Sequence, residues 1–492
     1  MVTNKWMRAG YAEGLRSVFA DKAWIEFVAD FGHAKKFFPD ADVFPSVLVV
    51  RKPLPGDAPA IAQVCVIPRD DVPDKGLDEA VARATYPLPR AHFTRDNWTL
   101  EPPDVVALLT KIRAKGAMLR DYIGAQPSYG IKTGLNEAFL IDAKTREKLI
   151  AGDPKVRPHI KPYLRGQDVR RWACPDSDLF MIVMKSSENF AWPWSDIADE
   201  AAAERSFKAE YPSLYAHFKP LESFKPPRGD KLRGLRHRED QGRFWWELRS
   251  CAYYDAFERH KILYQVIQFY ARYCLDSDGR LSNDKTFFLP TADHWVIAAL
   301  NSPVMWWHNW RYLTHLKDEA LSPVGYKVEA MPLPPVSAST RDRAAEIVEA
   351  LVAYTHAADA ATSKALGWLG HAYAVDKPGR ILSDVTALDA DAFIAALIDE
   401  LPKRRKLSVN DIADLKREHA GTIEPARLAR LDIFQLEQEL SGLVNAAYGL
   451  TQDEVALMWR TAPPRMPFTP AGLASIAAEP AADDEPNDDT AA

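Results

Sequence analysis

Over the first hundred residues the apolar positions alternate between helical and strand-like spacing. In WMRAGYAEGLRSVF, from Trp6 to Phe19, Met7, Tyr11, Leu15, Val18 and Phe19 share one face and the charges lie elsewhere, which predicts an amphipathic helix. Trp24 to Phe31 and SVLVV at Ser46 to Val50 predict strands, the second a continuous apolar run of the kind buried in a sheet. FFPDADVFP between them is turn-rich, and Gln63 to Ile67 predicts another strand, ending in the Pro-, Asp- and Gly-rich stretch Pro68 to Gly76. After Glu101-Pro102-Pro103 the spacing predicts a helix over Asp104 to Arg120, with Val105, Leu108, Leu109, Ile112 and Leu119 inward and Lys111, Arg113 and Lys115 outward. From Pro127 to Pro335 short strands and turns dominate, with helical periodicity only around Asp293 to Trp310. Beyond MPLPP at Met331 to Pro335, Ala-rich helical stretches run over Arg341 to Leu369, Asp389 to Leu401 and Ile433 to Ala447, and no fixed-period repeat is present.

At 492 residues and 47% hydrophobic content the chain has room for about three domains with real cores. The net charge of −6 argues against a uniformly basic nucleic-acid coat, but the charges are unevenly placed. Asp483, Asp484, Glu485, Asp488 and Asp489 fall in a terminal stretch without one Lys or Arg, the composition of a disordered acidic tail. Cys65, Cys174, Cys251 and Cys274 form no Cys-x-x-Cys pair, so buried reduced thiols are expected rather than a zinc knuckle or a disulfide framework. No secretory signal and no apolar run of about 18 residues is found, so a soluble cytoplasmic protein is expected, without a membrane.

Two basic groups carry candidate chemistry. KPPRGDKLRGLRHREDQGR, from Lys225 to Arg243, holds Arg228, Lys231, Arg233, Arg236, Arg238 and Arg243 between glycines and runs into Phe244, Trp245 and Trp246. Forked guanidinium donors suit phosphates and guanine edges, so the stretch is read as a DNA contact, with a solvated basic loop as the competing reading. Lys161, Arg165, Arg170 and Arg171 form the second group, and Lys285 sits in NDK. Gly134 reads as a backbone turn, and Trp306, Trp307 and Trp310, at helical spacing, read as core rather than a stacking platform. Asp142 with Lys144 and Asp414 with Lys416 have the short spacing of a nuclease acid and lysine but lack the strand context. His237, His260, His308 and His315 have no nucleophile at telling spacing, so neither catalytic nor metal residues are assigned.

Longer segments carry a resemblance. VTNKWMRAGYAEGLR at Val2 to Arg16 and DFGHAKKFFPDADVFPSVLVVRK at Asp30 to Lys52 resemble the final strands of the amino-methyltransferase domain of type IIG restriction-modification enzymes. GIKTGLNEAFLID from Gly130, HIKPYLRGQDVRRW from His159, NDKTFFL from Asn283, VIAALNSPVMWW from Val296 and YKVEAMPLPP from Tyr326 are similar, in order, to the TaqI-type C-terminal specificity domain that reads the target sequence. LEQELSGLVNAAYGLTQDEV, from Leu436 to Val455, resembles the helix and turn that close such enzymes.

The resemblance implies an α+β fold in parts: a truncated α/β methyltransferase remnant over 1–103, a linker helix over 104–126, a mixed α/β target-recognition domain over 127–336, a C-terminal helical domain over 337–465 and the acidic tail over 466–492. It also implies double-stranded DNA as partner and S-adenosylmethionine as cofactor of the complete enzyme. The chain has no motif for either methyl donor or target amine. Pro102-Pro103, Pro226-Pro227, Pro334-Pro335 and Pro463-Pro464 are followed by Asp104, Arg228, Val336 and Arg465 instead of an aromatic residue, no Asn precedes a Pro, and no glycine-rich turn follows an apolar strand. The expected role is therefore sequence-specific recognition for an adenine-N6 methyltransferase, with no cofactor held by this chain and no activity alone. One half of a split enzyme, completed by an upstream methyltransferase subunit, and a non-functional fragment are the alternatives.

Overall fold

The computed structural model describes residues 4–468 apart from 9, 42, 57–58, 96–97, 176–177, 227–230, 376 and 403–405. Helices and several small sheets are mixed along the chain, with a helical region at the end of the described residues, the α+β class that the sequence implies. Among the described residues no helix is long and apolar enough to cross a membrane.

Near the N-terminus, strands Ser46–Arg51, Trp24–Asp30, Ile61–Val66 and Thr85–Pro89 lie side by side in that order. Trp24–Asp30 pairs antiparallel with the first and parallel with the third. Trp6, Met7, Val28, Val64 and Trp98 fill one core beside this sheet. Two expectations change here. Ser46–Arg51 is an edge strand whose Val47, Val49 and Val50 are exposed, because an apolar run fixes the strand but not how many neighbours cover it. The opening segment splits into Lys5–Arg8, a short turn at Gly10–Ala12 and Glu13–Lys22, so Tyr11, Leu15 and Val18 face outward. Arg16 turns inward instead and donates to the carbonyls of Trp6 and Arg95 at 2.7 and 2.9 Å.

The middle of the chain builds two sheets. One orders Leu281–Ser282, Ile160–Leu164, Leu179–Ile182 and Leu140–Asp142; the other orders Ser128–Tyr129, Thr286–Leu289, Lys261–Gln265, Tyr273–Asp276 and Trp172–Ala173. Both contribute to a core in which Phe244, Trp246 and Phe207 stack in series with ring centroids 4.9 and 5.1 Å apart. The fully buried Glu247 holds this stack in place by accepting from Trp194 Nε1 at 2.8 Å, Ser187 N at 3.1 Å and Phe244 N at 3.2 Å. The four cysteines are free, as expected of them, and the fold brings the sulfurs of Cys174 and Cys274 within 2.6 Å in this core.

Helix Pro103–Lys115 stops one residue before Gly116, where a β-carbon would meet Pro332 at 2.5 Å, and Ala117–Met118 then pairs with Pro332–Leu333. Val105, Leu108, Leu109 and Ile112, on the face expected to turn inward, join Trp295, Trp306, Trp307 and Leu351 in one large core, and Pro332 and Pro334 of the proline cluster are buried. Apolar faces on both segments drive that burial. Helix Ala338–Tyr373, 36 residues long and capped by Ser337, buries Ala344, Ile347, Val348 and Leu351 in the same core. Its far end buries Ala365, Leu369 and Tyr373 in a separate cluster with Phe393, Leu397 and Leu415. No residue from 352 to 364 is buried, and helix Glu424–Ala447 runs beside it. The expected tail begins later than 466, since Met466 packs on the large core and Phe468 lies 5.8 Å from Phe434 and 5.7 Å from Trp459; the tail's remainder, 469–492, falls outside the described residues.

Candidate nucleic-acid interface

Three segments distant in sequence meet at one place. Gly130 N donates to Thr286 O at 2.9 Å and Ile131 N to Ser282 O at 2.7 Å, so the turn opening GIKTG lies along SNDK. The approach is possible because Gly130 has no side chain: a β-carbon would sit 2.0 Å from Asn283 O and 2.3 Å from Ser282 O. Gly166 comes up from the third segment, with space for a β-carbon only 3.3 Å from Lys285 Cβ. Around this junction stand four cations. Lys132 is 47% exposed and only loosely paired with Asp284 at 3.9 Å. Arg165 and Lys285 are exposed, and Arg170 is held half-exposed by donating to Gln167 O at 2.7 Å. Lys132 escaped the sequence reading, although its place between Gly130 and Gly134, both at close backbone approaches, was the available signal. Exposed cations on a rigid junction suit phosphate oxygens, and glycines let the backbone come near a ligand.

Lys225 to Arg243 divides into parts with different environments. Arg238 is buried, 6% exposed, and its guanidinium donates to the carbonyls of Thr133, Leu235, Asp240, Trp245 and Glu247 while lying 4.6 Å over the Phe139 ring. Burial pulls it down to about 10 from the ordinary arginine range, leaving it charged at neutral pH. Gly134, with φ of +68°, takes the left-handed conformation beside it, where a β-carbon would be 2.9 Å from Arg238 Cβ; this is the backbone role expected of Gly134. Arg236 pairs with Glu222 and Glu200, both at 2.5 Å, and lies over Trp245. Burial opposes ionisation of Glu222, but hydrogen bonds from Lys219 and Arg236 outweigh it and hold the carboxyl below its usual range. Arg243 donates to the carbonyls of Ser195 and Ile197 and lies over Phe244. Lys231 and Arg233 are exposed, Arg233 on a backbone bridge to Phe224, and Arg228 lies outside the described residues. Phe244, Trp245 and Trp246 are buried and form core instead of a stacking surface.

In the second basic group Arg171 is also interior: its side chain, 10% exposed, pairs with Glu437 at 2.6 Å and lies over the Trp172 ring. Lys161 faces a cavity and pairs with Glu258 at 2.9 Å. The acid and lysine pairs are local. Asp142 caps helix Ala143–Gly152 by accepting from Thr145 N at 2.7 Å; the Thr145 hydroxyl, and then that backbone bond, hold its carboxyl below the usual range, while Asp414 accepts from Arg417. Among the described residues no three His, Cys, Asp or Glu side chains gather as a metal site. After the Trp24–Asp30 strand, Gly32 takes a φ of +56° at ordinary contact distance from Glu319 Oε1 and Arg69 N, 3.4 and 3.6 Å from where a β-carbon would stand.

A family model described as a domain of unknown function, DUF8810, matches residues 337–444. No curated protein matches the chain. Among solved structures the chain is similar to the type IIL restriction-modification enzyme MmeI in complex with DNA, at 11% identity and a TM-score of 0.45, over 94% of this chain and 48% of that one. It is also similar to the type IIG restriction endonuclease BpuSI, at 10% identity and a TM-score of 0.31, over 89% of this chain and 47% of that one. The chain thus spans about half the length of each of these two restriction-modification proteins.

Proposed function

We propose that this chain is the target-reading part of a type IIG-like DNA adenine methyltransferase system, and that S-adenosylmethionine is held by other residues of the complete enzyme. The observation that carries the reading is the junction of Gly130–Lys132, Arg165–Arg170 and Asn283–Lys285, which places the segments with the specificity-domain resemblance together and rings them with cations. Lys132, Arg165 and Lys285 contact phosphates in this reading, with Arg170 beside them. Lys231 and Arg233 offer a second basic surface. Arg171 and Arg238 hold the fold and touch no DNA.

The test is fluorescence anisotropy of labelled duplexes across a salt series, with the target found by selection from a randomised pool. The parent binds duplex DNA, and Lys132→Ala, Arg165→Ala and Lys285→Ala each flatten the slope of log affinity against log salt by about one unit, as the loss of one neutralised phosphate requires. A parent that binds no duplex at about 50 mM salt, or three variants that bind as the parent does, would overturn the reading. Calorimetric titration with S-adenosylmethionine gives no saturable heat for the chain alone; micromolar binding would sink the cofactor part.

A further inference from the structure

Lys161 and Lys185 line a cavity of about 210 Å3 together with His159, Phe190, Tyr254 and Glu258. Small-molecule sites run roughly 300–1,000 Å3, so this one lies below that range and encloses only part of a ligand of that class. Its charges and its rings both narrow what that ligand is. The Lys185 ammonium lies 5.0 Å from the Phe190 ring centroid and 5.2 Å from that of Tyr254, so two aromatic faces hold it at the cavity. Its ion-pair partner Asp255 is 3.7 Å away and 89% exposed, a pairing that water weakens, and Glu258 also feels its charge. Lys161 is paired with Glu258, whose carboxyl that hydrogen bond holds below its usual range. Burial, and then the two lysines, push His159 down, so the imidazole is neutral at pH 7. The lining therefore carries two positive charges and one negative, a net attraction for an anion.

The wall is flat and fixed. Trp192 stacks on Trp194 with centroids 5.0 Å apart, its indole N–H donates to Lys185 O at 2.8 Å, and His159 packs against it at 5.0 Å. Phe190, 37% exposed, stands 4.7 Å from Trp192. A ligand with an oxyanion for the ammoniums, a planar ring for Phe190, and an N–H donor for the Glu258 carboxylate satisfies every group there. We propose that this cavity binds a nucleoside monophosphate whose base carries an exocyclic amine, with phosphate on Lys185 and Lys161, ring on Phe190 and amine on Glu258. The site shares strands Ile160–Leu164 and Leu281–Ser282 with the Gly130 and Lys285 junction but none of the junction's cations, and it does not rest on the DNA-reading proposal. Such a ligand reaches the cavity either as a free nucleotide or as an unpaired nucleotide at the end of a strand.

The experiment uses the full chain, with tryptophan emission and calorimetry as readouts, titrated with dAMP, dCMP, dTMP, inorganic phosphate and a 5′-phosphorylated single-stranded oligonucleotide. The expected result is saturable binding of dAMP and dCMP, with dTMP and phosphate weaker by about tenfold, a loss of about 1.4 kcal/mol. Lys185→Ala weakens dAMP by about tenfold and Phe190→Ala by about threefold, whereas Lys132→Ala leaves it unchanged even if the DNA reading fails. Tighter binding of the oligonucleotide assigns the strand-borne source, and tighter binding of dAMP assigns the free one. Lys161→Gln, at a partly exposed side chain, replaces Lys185→Ala should that variant not fold. The proposal is overturned if dAMP gives no saturation at millimolar concentration, or if Lys185→Ala and Phe190→Ala bind it as the parent does.

Discussion

Arg238→Ala removes a buried cation from the middle of five carbonyls, contributed by Thr133, Leu235, Asp240, Trp245 and Glu247. A hydrogen bond with a charged partner contributes roughly 1.5–3 kcal/mol net, but five bonds to one guanidinium do not add. Burying the charge costs several kcal/mol, which is why the guanidinium is pulled down to about 10. After truncation those carbonyls lack their donor and Phe139 loses its cation, so the variant loses roughly 3–5 kcal/mol, as when a buried charged cluster is broken. Such a loss lowers the melting temperature of the unit it sits in by on the order of 10 °C. Tryptophan emission during a thermal scan reads this directly, because Trp194, Trp245 and Trp246 belong to the same core. Arg233→Ala, at an exposed guanidinium five positions earlier, leaves the transition in place. An Arg238→Ala protein that melts within about 1 °C of the parent yet binds duplex DNA more weakly would refute the reasoning, since the side chain would then face solvent and nucleic acid.

Gly130→Ala places a methyl 2.0 Å from Asn283 O, so the GIKTG turn must move off NDK; duplex affinity should fall more than for Lys132→Ala, with helical circular dichroism unchanged, and full affinity would show that the junction is not needed for binding. His308→Gln tests a pH response. His308 is buried between Asn309 Oδ1, 3.1 Å from Nδ1, and the Arg113 Nε–H that donates to Nε2 at 3.4 Å, and burial together with the Arg113 charge pushes it down to about 3. The unfolded chain takes up that proton near pH 6.5 and the folded chain does not, so stability falls by about 1.4 kcal/mol per pH unit below 6.5, some 2 kcal/mol by pH 5. Urea unfolding at pH 7 and pH 5 should show a smaller drop in the Gln variant, and an equal drop would mean that His308 charges in the fold.

Local pattern carried much of the architecture. The C-terminal helices follow from apolar residues recurring at helical spacing, and strands Trp24–Asp30 and Ile61–Val66 follow from short apolar runs between turns. Ser46–Arg51 shows where pattern stops: an apolar run records a strand but not its position at the sheet edge. The basic loop shows a second limit. Arg233 and Arg238 are the same residue type in the same glycine-bounded stretch, yet one is exposed and the other enclosed by carbonyls that include those of Thr133, Trp245 and Glu247. Only the tertiary arrangement of those carbonyls separates them. The same holds for the junction at Gly130, whose members are joined by contacts across some hundred and fifty positions that no window of sequence contains.

The bare middle of helix Ala338–Tyr373 has a mechanical meaning. Its ends are anchored in different cores, and the thirteen residues from 352 to 364 between them span about 20 Å at 1.5 Å per residue without a buried side chain. What that stretch transmits is phase. Adding or deleting one residue there turns the distant cluster of Phe393, Leu397 and Leu415 by about 100° about the helix axis, whereas seven residues return it to within about 20° of its starting direction. Since helix Glu424–Ala447 runs alongside, the two helices must change length together for the cluster to keep its heading. Changes in length across this strut are thus tolerated in paired steps of two helical turns, while changes in residue identity on its exposed face pass almost unnoticed.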